Sequence, residues 1–287
     1  MTAPVMPFWK FEGLGNDFIV LESPLTGDPA DRARRLCDRR RGIGADGVLV
    51  VVPGPGETLH LTIWNADGSE AAMCGNGVRC VAAHAMHRGW GRDVPLHLET
   101  RSGPRVVRTL AWDGYEGRFE VAMGRPDWSP GAIGIERPDP GSLISAPVEV
   151  EGHTWTLTAL SMGNPHVVTF VDELDVGDLH HWGPKLERHP MFRDRTNVEF
   201  VRVVRPDRLE VLVHERGVGP TQACGTGACA SLVAAACTGR ADRRAEVLLP
   251  GGMLEIVWAD DDEVFMTGPA RLVYTGEWPV EGASGSL

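Results

Sequence analysis

The sequence predicts an α+β protein of two pseudo-symmetric domains, each a curled mixed or antiparallel sheet wrapped around a central apolar helix, with the active site in the cleft between them. Three observations carry that expectation. The run Ala228-Cys229-Ala230-Ser231-Leu232-Val233-Ala234-Ala235-Ala236-Cys237 has no polar face, and a helix without one must be buried. The same element occurs earlier: Cys74-Gly75-Asn76-Gly77 and the helix to Met86 match Cys224-Gly225-Thr226-Gly227 and its helix. The cysteines lie 150 residues apart, Gly89 matches Gly239, and Asn65 and Glu215 each stand nine residues before their cysteine. A period this long means two similar domains and not a solenoid. The rest of the chain is short alternating strands without the strand–helix alternation of a doubly wound sheet, and no glycine turn has the full dinucleotide-binding spacing.

Taken in order, Phe8–Glu12 alternates as an opening strand, Gly13–Asp17 is a tight turn, and Phe18–Leu21 is a second strand. Asp28 to Arg41 reads as a helix, with Asp28 as its cap and Pro29 at the permitted first position. Strands follow at Val48–Val52 and Leu59–Trp64, then the first cysteine helix, then strands near Leu96–Thr100, Arg105–Ala111 and Arg118–Met123. The proline-rich stretch from Pro126 to Pro140 reads as the crossover between halves, giving domains 1–123 and 124–269. In the second half, strands are expected at Val148–Val150, His153–Leu160, Val167–Val171, Asn197–Val201 and Leu209–Val213, with helix and loop from Leu174 to His189. After the second cysteine helix come Glu246–Leu249, Gly252–Ala259 and Glu263–Gly268. A last strand, Ala270–Tyr274, within 270–287, returns to the first domain, and Gly282–Leu287 is expected to fray.

Composition sets the class. The 287 residues are 43% apolar and 23% charged, as in ordinary globular proteins. A net charge of −11 speaks against a nucleic-acid partner, and the run Arg39-Arg40-Arg41 reads as the solvated end of a helix. No apolar run approaches the roughly 18–20 residues of a membrane span, and the N-terminus lacks the pattern of a signal peptide. Six cysteines are too few for a disulfide scaffold, and the spacings 74/80 and 224/229 are not those of a zinc knuckle. The expectation is a cytoplasmic protein with reduced thiols, no metal and no membrane partner.

Each helix start offers unpaired N–H groups and the positive end of a dipole, which bind an anion and lower the pKa of a thiol placed there. Two facing thiols would act on both faces of one atom, one removing a proton and the other delivering one. Abstraction from an amino-acid α-carbon commonly relies on pyridoxal phosphate on a lysine. The chain has two lysines, Lys10 and Lys185, neither in a cofactor motif. A cofactor-free route would stabilise the carbanion electrostatically, with N–H groups around Gly75-Asn76 and Gly225-Thr226 holding the carboxylate. Cys229 and Cys237 read as small core residues, and Asp17, Asp46 and Asp67 as turn and capping residues. His84 and His87 read as core or helix-end groups.

Several segments together resemble the diaminopimelate epimerases, enzymes of lysine and cell-wall precursor synthesis. They are Gly13-Leu14-Gly15-Asn16-Asp17-Phe18, Asn65-Ala66-Asp67-Gly68-Ser69-Glu70, Cys74 through Cys80, Gly163-Asn164-Pro165-His166 and Glu215-Arg216-Gly217 through Cys229. The resemblance spans nearly the whole chain. It implies cofactor-independent epimerisation of LL-diaminopimelate to the meso isomer by a thiolate/thiol pair, Cys74 and Cys224, with His166 and Glu215 supporting proton transfer. It implies that Gly75, Asn76, Gly225 and Thr226 hold the reacting carboxylate. Asn16, Asn65, Asn164, Asn197, Glu215 and Arg216 would contact the substrate, several at its distant end, and the protein would form a homodimer. Asn16 and Asn197 have an alternative reading as residues that serve only their turns. Some family members carry a glutamine after the aspartate of Gly42-Ile43-Gly44-Ala45-Asp46, where this chain has Gly47. Rival readings are a histidine or proline racemase-like enzyme, which would lose the distal site, an isomerase branch lacking the cysteine pair, a dithiol redox switch, and a binding module.

Overall fold

The computed structural model describes residues 5–54, 58–90, 94–135 and 143–279. The chain divides into two compact units, Met1–Phe119 with Pro269–Leu287, and Glu120–Gly268. Both boundaries fall inside strands, Glu116–Gly124 and Val264–Pro279. The expected fraying at the C-terminus and part of the proline-rich crossover lie outside the described residues.

In the first unit, strands Val5–Gly13 and Asn16–Leu21 form a hairpin, and helix α1, Pro29–Cys37, crosses to Gly47–Pro53, which runs parallel to the second strand. A second hairpin adds Thr58–Asn65. Helix α2, Gly75–Arg88, leads back to Leu96–Thr100, parallel to Thr58–Asn65, and Gly103–Trp112 pairs antiparallel beside it. The end of the last strand pairs with Val5–Gly13, and the Leu272 N–H reaches the Tyr115 carbonyl, so the sheet curls round.

The second unit repeats this order. His153–Ser161 and Pro165–Phe170 form the hairpin, and Ala146–Val150 pairs beside it. A short helix α3, Pro130–Ile133, precedes them. Helix α4, Val176–Glu187, crosses to Asn197–Arg205, parallel to Pro165–Phe170. Arg208–Glu215 completes the second hairpin. Helix α5, Gly225–Cys237, then leads to Arg244–Leu249, Gly252–Trp258 and the start of the last strand.

The central helices are as enclosed as their composition demands. Every residue of α2 from Gly75 to Met86, and of α5 from Gly225 to Ala235, is buried. Helix α2 stops at Gly89, whose φ of 77° suits glycine and turns its N–H back to the Ala85 and Met86 carbonyls. Helix α2 also buries the polar residues Asn76, Arg79 and His84. Arg79 is fully buried, and its guanidinium donates to the Pro269 and Gly75 carbonyls and to Asn76 Oδ1.

Three expectations need correction. Helix α1 ends at Cys37, not Arg41, because the Asp38 carboxylate accepts the N–H groups of Arg40 and Arg41 while Gly44 and Ala45 bond the Leu36 and Cys37 carbonyls. Cys237 is exposed at the end of α5, unlike the buried Cys229. The two strands expected at Glu263–Gly268 and Ala270–Tyr274 are one, Val264–Pro279. It pairs with Gly252–Trp258 as far as Thr267 and with Val5–Gly13 from Arg271 onward. Pro269 stands where the partner changes, a place where a residue without an N–H is tolerated.

Leu232 in α5 is completely buried. Leu232→Ala is expected to lower unfolding stability by about 2–5 kcal/mol. Val176→Ser, at a position 57% exposed, should change it by less than about 0.5 kcal/mol. Urea denaturation curves of the two variants check both.

Candidate active site

In the first unit the site is built on the start of α2. Cys74 is the N-cap, with extended backbone at φ −145°, and its Sγ accepts the Gly77 N–H at 3.4 Å. Asn16, in the first hairpin, brings Oδ1 to 4.0 Å from Cys74 Sγ, and Asn76 Nδ2 donates to the same oxygen at 3.4 Å. Cys74, Gly75, Asn76 and Asn16 are therefore together. Asn65 is exposed at the end of its strand, with Nδ2 donating to Ser69 Oγ at 2.9 Å.

The turn that carries Asn16 is braced by charges read in the sequence as turn and solvent residues. Asn16 Nδ2 donates to Asp46 Oδ2 at 2.6 Å, and Arg39 bonds both Asp46 and Asp17. Burial alone would raise the Asp17 carboxyl, but Arg39 and Lys10 hold it well below the usual carboxylate range. Arg39 is thus not merely a solvated helix end. Because Asp46 takes the amide nitrogen, the oxygen of Asn16 is left for Cys74 and Asn76.

In the second unit, Cys224 caps α5 in the same way, with φ −119° and the Gly227 N–H at 3.4 Å from Sγ. Thr226 Oγ1 lies 3.5 Å from that sulfur. The surroundings differ in charge. Glu215 and Glu199 both bear on the thiol, and Cys224 is 7% exposed. Burial first, then those two carboxylates, pushes the thiol well above 9.0, over the opposing hydrogen bonds from Thr226 and Gly227. The helix terminus alone was expected to lower it. Desolvation wins because the charged form is what burial penalises.

Glu215 accepts from Thr221 Oγ1 at 2.6 Å. Burial raises its carboxyl, against hydrogen bonds from Thr221 and Cys224 and the nearby His166. His166 is fully buried, with Nδ1 2.7 Å from Glu199 Oε1 and Nε2 3.0 Å from Asn164 Oδ1. Asn197 is 3% exposed and spends its amide on main chain. Nδ2 donates to the Pro165 carbonyl at 2.7 Å, and Oδ1 accepts the Arg216 N–H at 2.9 Å. The Arg216 side chain is exposed and donates to the Asp194 carbonyl. Glu187 accepts the Gly217 N–H at 2.9 Å and bonds His214, fixing the same turn from α4.

Sequence reading missed Glu199, Asp46, Arg39 and Arg79. Glu199 and Arg79 left a signal, each a charged residue inside an otherwise apolar element, the strand around Val198, Phe200 and Val201 and the helix around Val78, Cys80 and Val81. Among the described residues, no group of three or more His, Cys, Asp or Glu is arranged to hold a metal ion, and no helix is long and apolar enough to cross a membrane.

Comparison with known proteins places this architecture. Residues 8–129 and 158–273 match the family model described as diaminopimelate epimerase. A diaminopimelate epimerase of Acaryochloris marina is 46% identical over 280 residues, covering 94% of this chain and 97% of the relative. Diaminopimelate epimerase 1 of a Nostoc species is 48% identical, covering 94% and 98%. Among solved structures, a hydroxyproline epimerase from Agrobacterium vitis superposes with a TM-score of 0.67 at 15% identity, covering 97% of this chain and 92% of that one. A phenazine biosynthesis protein from Bacillus anthracis gives 0.69 at 13% identity, covering 96% and 100%. The structural likenesses show a shared two-domain α+β fold, and the sequence matches show that the chain belongs to the diaminopimelate epimerase family.

Proposed function

We propose that this protein epimerises LL-diaminopimelate to meso-diaminopimelate without a cofactor, with Cys74 and Cys224 as its two acid/base groups. The observation that carries this reading is the repeated cap. Each cysteine ends an extended segment, precedes a buried helix, and accepts the N–H three residues on at 3.4 Å.

One sulfur takes the α-proton as a thiolate and becomes a thiol, and the C–H electron pair stays on the substrate as an enolate-like carbanion. The other sulfur gives its proton to the opposite face and becomes the thiolate. Protons and charge balance, and the pair ends with its roles exchanged. The carbanion is stabilised through its carboxylate, for which the N–H groups at Gly75-Asn76 and Gly225-Thr226 are the expected donors. Cys224 rests as the thiol. When it must serve as base, Glu215 is the adjacent acceptor, a carboxyl raised by burial. Asn16, Asn65, Asn164, Asn197 and Arg216 make up the rest of the substrate-binding set, and the exposed Arg216 guanidinium suits a distant carboxylate. Asn197 would contribute through the turn it holds. A homodimer in a reducing cytoplasm is the expected working state.

Reduced enzyme, dialysed against chelator and given no pyridoxal phosphate, is expected to exchange the α-proton of LL-diaminopimelate in deuterium oxide while the meso isomer appears. Proton NMR reads both. Exchange that returns only on adding metal or cofactor refutes the mechanism, and exchange of proline or histidine instead moves the substrate. Cys74→Ser and Cys224→Ser should each reduce turnover by about 10²–10⁴-fold with unchanged circular dichroism; near-normal turnover in either would remove that cysteine from the chemistry. The thiolate is the form that alkylates, so iodoacetamide modification of Cys224, followed by mass spectrometry, should still be accelerating as pH rises past 9.0. A plateau reached by about pH 7 would contradict a resting thiol.

A further inference from the structure

The repeat supplies an internal control for the buried His166–Glu199 pair. In the second unit His166 lies opposite Asn197 in the parallel ladder, with Glu199 two residues further on. In the first unit the same register sets Phe18 opposite Gly47, with Leu49 two residues further on. The helix starts agree. A Cβ placed on Gly227 would meet Glu199 Oε1 at 2.8 Å, and one placed on Gly77 would meet Leu49 Cδ2 at 3.1 Å. Phe18 and Leu49 are 3% and 0% exposed, and His166 and Glu199 are both fully buried. One packing position is therefore filled by two apolar side chains in one unit and by an imidazole and a carboxylate in the other. Replacing a buried ion pair by apolar groups is often neutral or stabilising, so this fold does not need the polar pair for its packing.

The contacts also count protons. The ring is flanked by acceptors on both sides, Glu199 Oε1 at Nδ1 and Asn164 Oδ1 at Nε2. Both contacts are hydrogen bonds only if Nε2 carries a proton and a second proton lies between Nδ1 and Glu199. Whichever of the two holds that second proton, the pair has no net charge. The other oxygen, Glu199 Oε2, is buried without a hydrogen-bond partner, which makes a bare carboxylate costly there. Burial accordingly raises the Glu199 carboxyl, against the pull of His166. Glu215, from the neighbouring strand, and Cys224, at the start of α5, also face this cluster.

Resting on the epimerase reading above, we propose that Glu199 is a positioning residue: it fixes His166 as a hydrogen-bond donor, with the Nε2 proton aimed at Asn164, and keeps the buried pair electrically neutral. His166 then serves the site as a donor and not as a free base. Only the Cys224 half of the repeat has this device.

The test is nitrogen-15 NMR of labelled histidine, with His166 assigned by its loss in His166→Phe. Wild-type enzyme is expected to keep a proton on Nε2 at about pH 8, whichever partner holds the proton between Nδ1 and Glu199. Glu199→Gln should leave one nitrogen bare at about pH 8. A bare Nε2 in the wild type overturns the proposal. In turnover, Glu199→Gln should lower kcat by about 10–100-fold with KM changed less than about twofold, and Glu199→Asp should recover part of the loss. Wild-type kcat in Glu199→Gln also overturns it. The double variant His166→Phe/Glu199→Leu, which copies the first unit, should fold with an equal or higher Tm and be inactive; a lowered Tm would make the pair structural. If the wild type does not act on diaminopimelate, the functional reading fails while the NMR result still decides what Glu199 does to His166.

Discussion

The constraint on which this molecule depends is the burial of two central helices, enclosed from Gly75 to Met86 and from Gly225 to Ala235. Such a helix is stable only inside a sheet, and its first turn then presents N–H groups that no preceding carbonyl satisfies. A cysteine at the cap gives one of those N–H groups a partner and places a reactive atom at the same point. Gly77 and Gly227 follow from the same demand, because a Cβ there would press on the strand beneath, at 3.1 Å from Leu49 Cδ2 and 2.8 Å from Glu199 Oε1. Structure and chemistry share these residues, so the motif cannot drift without affecting both.

The two halves use one scaffold for different electrostatics. Around Cys74 stand amides, Asn16 beside the sulfur and Asn76 on the same Asn16 oxygen, with a charged network one step behind them. Around Cys224 stand carboxylates and an imidazole, in a place where burial raises both carboxyls and the thiol. A pseudo-symmetric backbone therefore carries an asymmetric proton inventory. That suits a reaction in which the two sulfurs must not begin in the same state.

Much of this was legible in the sequence. The helices of small residues announced their own burial, and the repeat announced two units, since both signals are local and periodic. The network of Arg39, Asp46 and Asp17 was not legible, because its members come from three separated turns and look like ordinary solvent-facing charges until the chain folds. The direction in which the Cys224 thiol shifts was read wrongly for a related reason. A helix terminus is visible in a sequence, whereas the desolvation and the two carboxylates that outweigh it belong to tertiary structure. The single long final strand was divided at Pro269, because a change of pairing partner leaves no local mark.

That final strand has a consequence for synthesis. The unit Glu120–Gly268 is continuous in sequence, whereas the other unit includes Pro269 and the residues after it. Val5–Gly13 pairs on one side with Asn16–Leu21, made immediately after it, and on the other with residues 271–279, made only after the whole of Glu120–Gly268. As the chain leaves the ribosome, the part that emerges first is thus the part whose sheet is completed last. The later half can close while the earlier half still has an open edge, held in waiting for one strand.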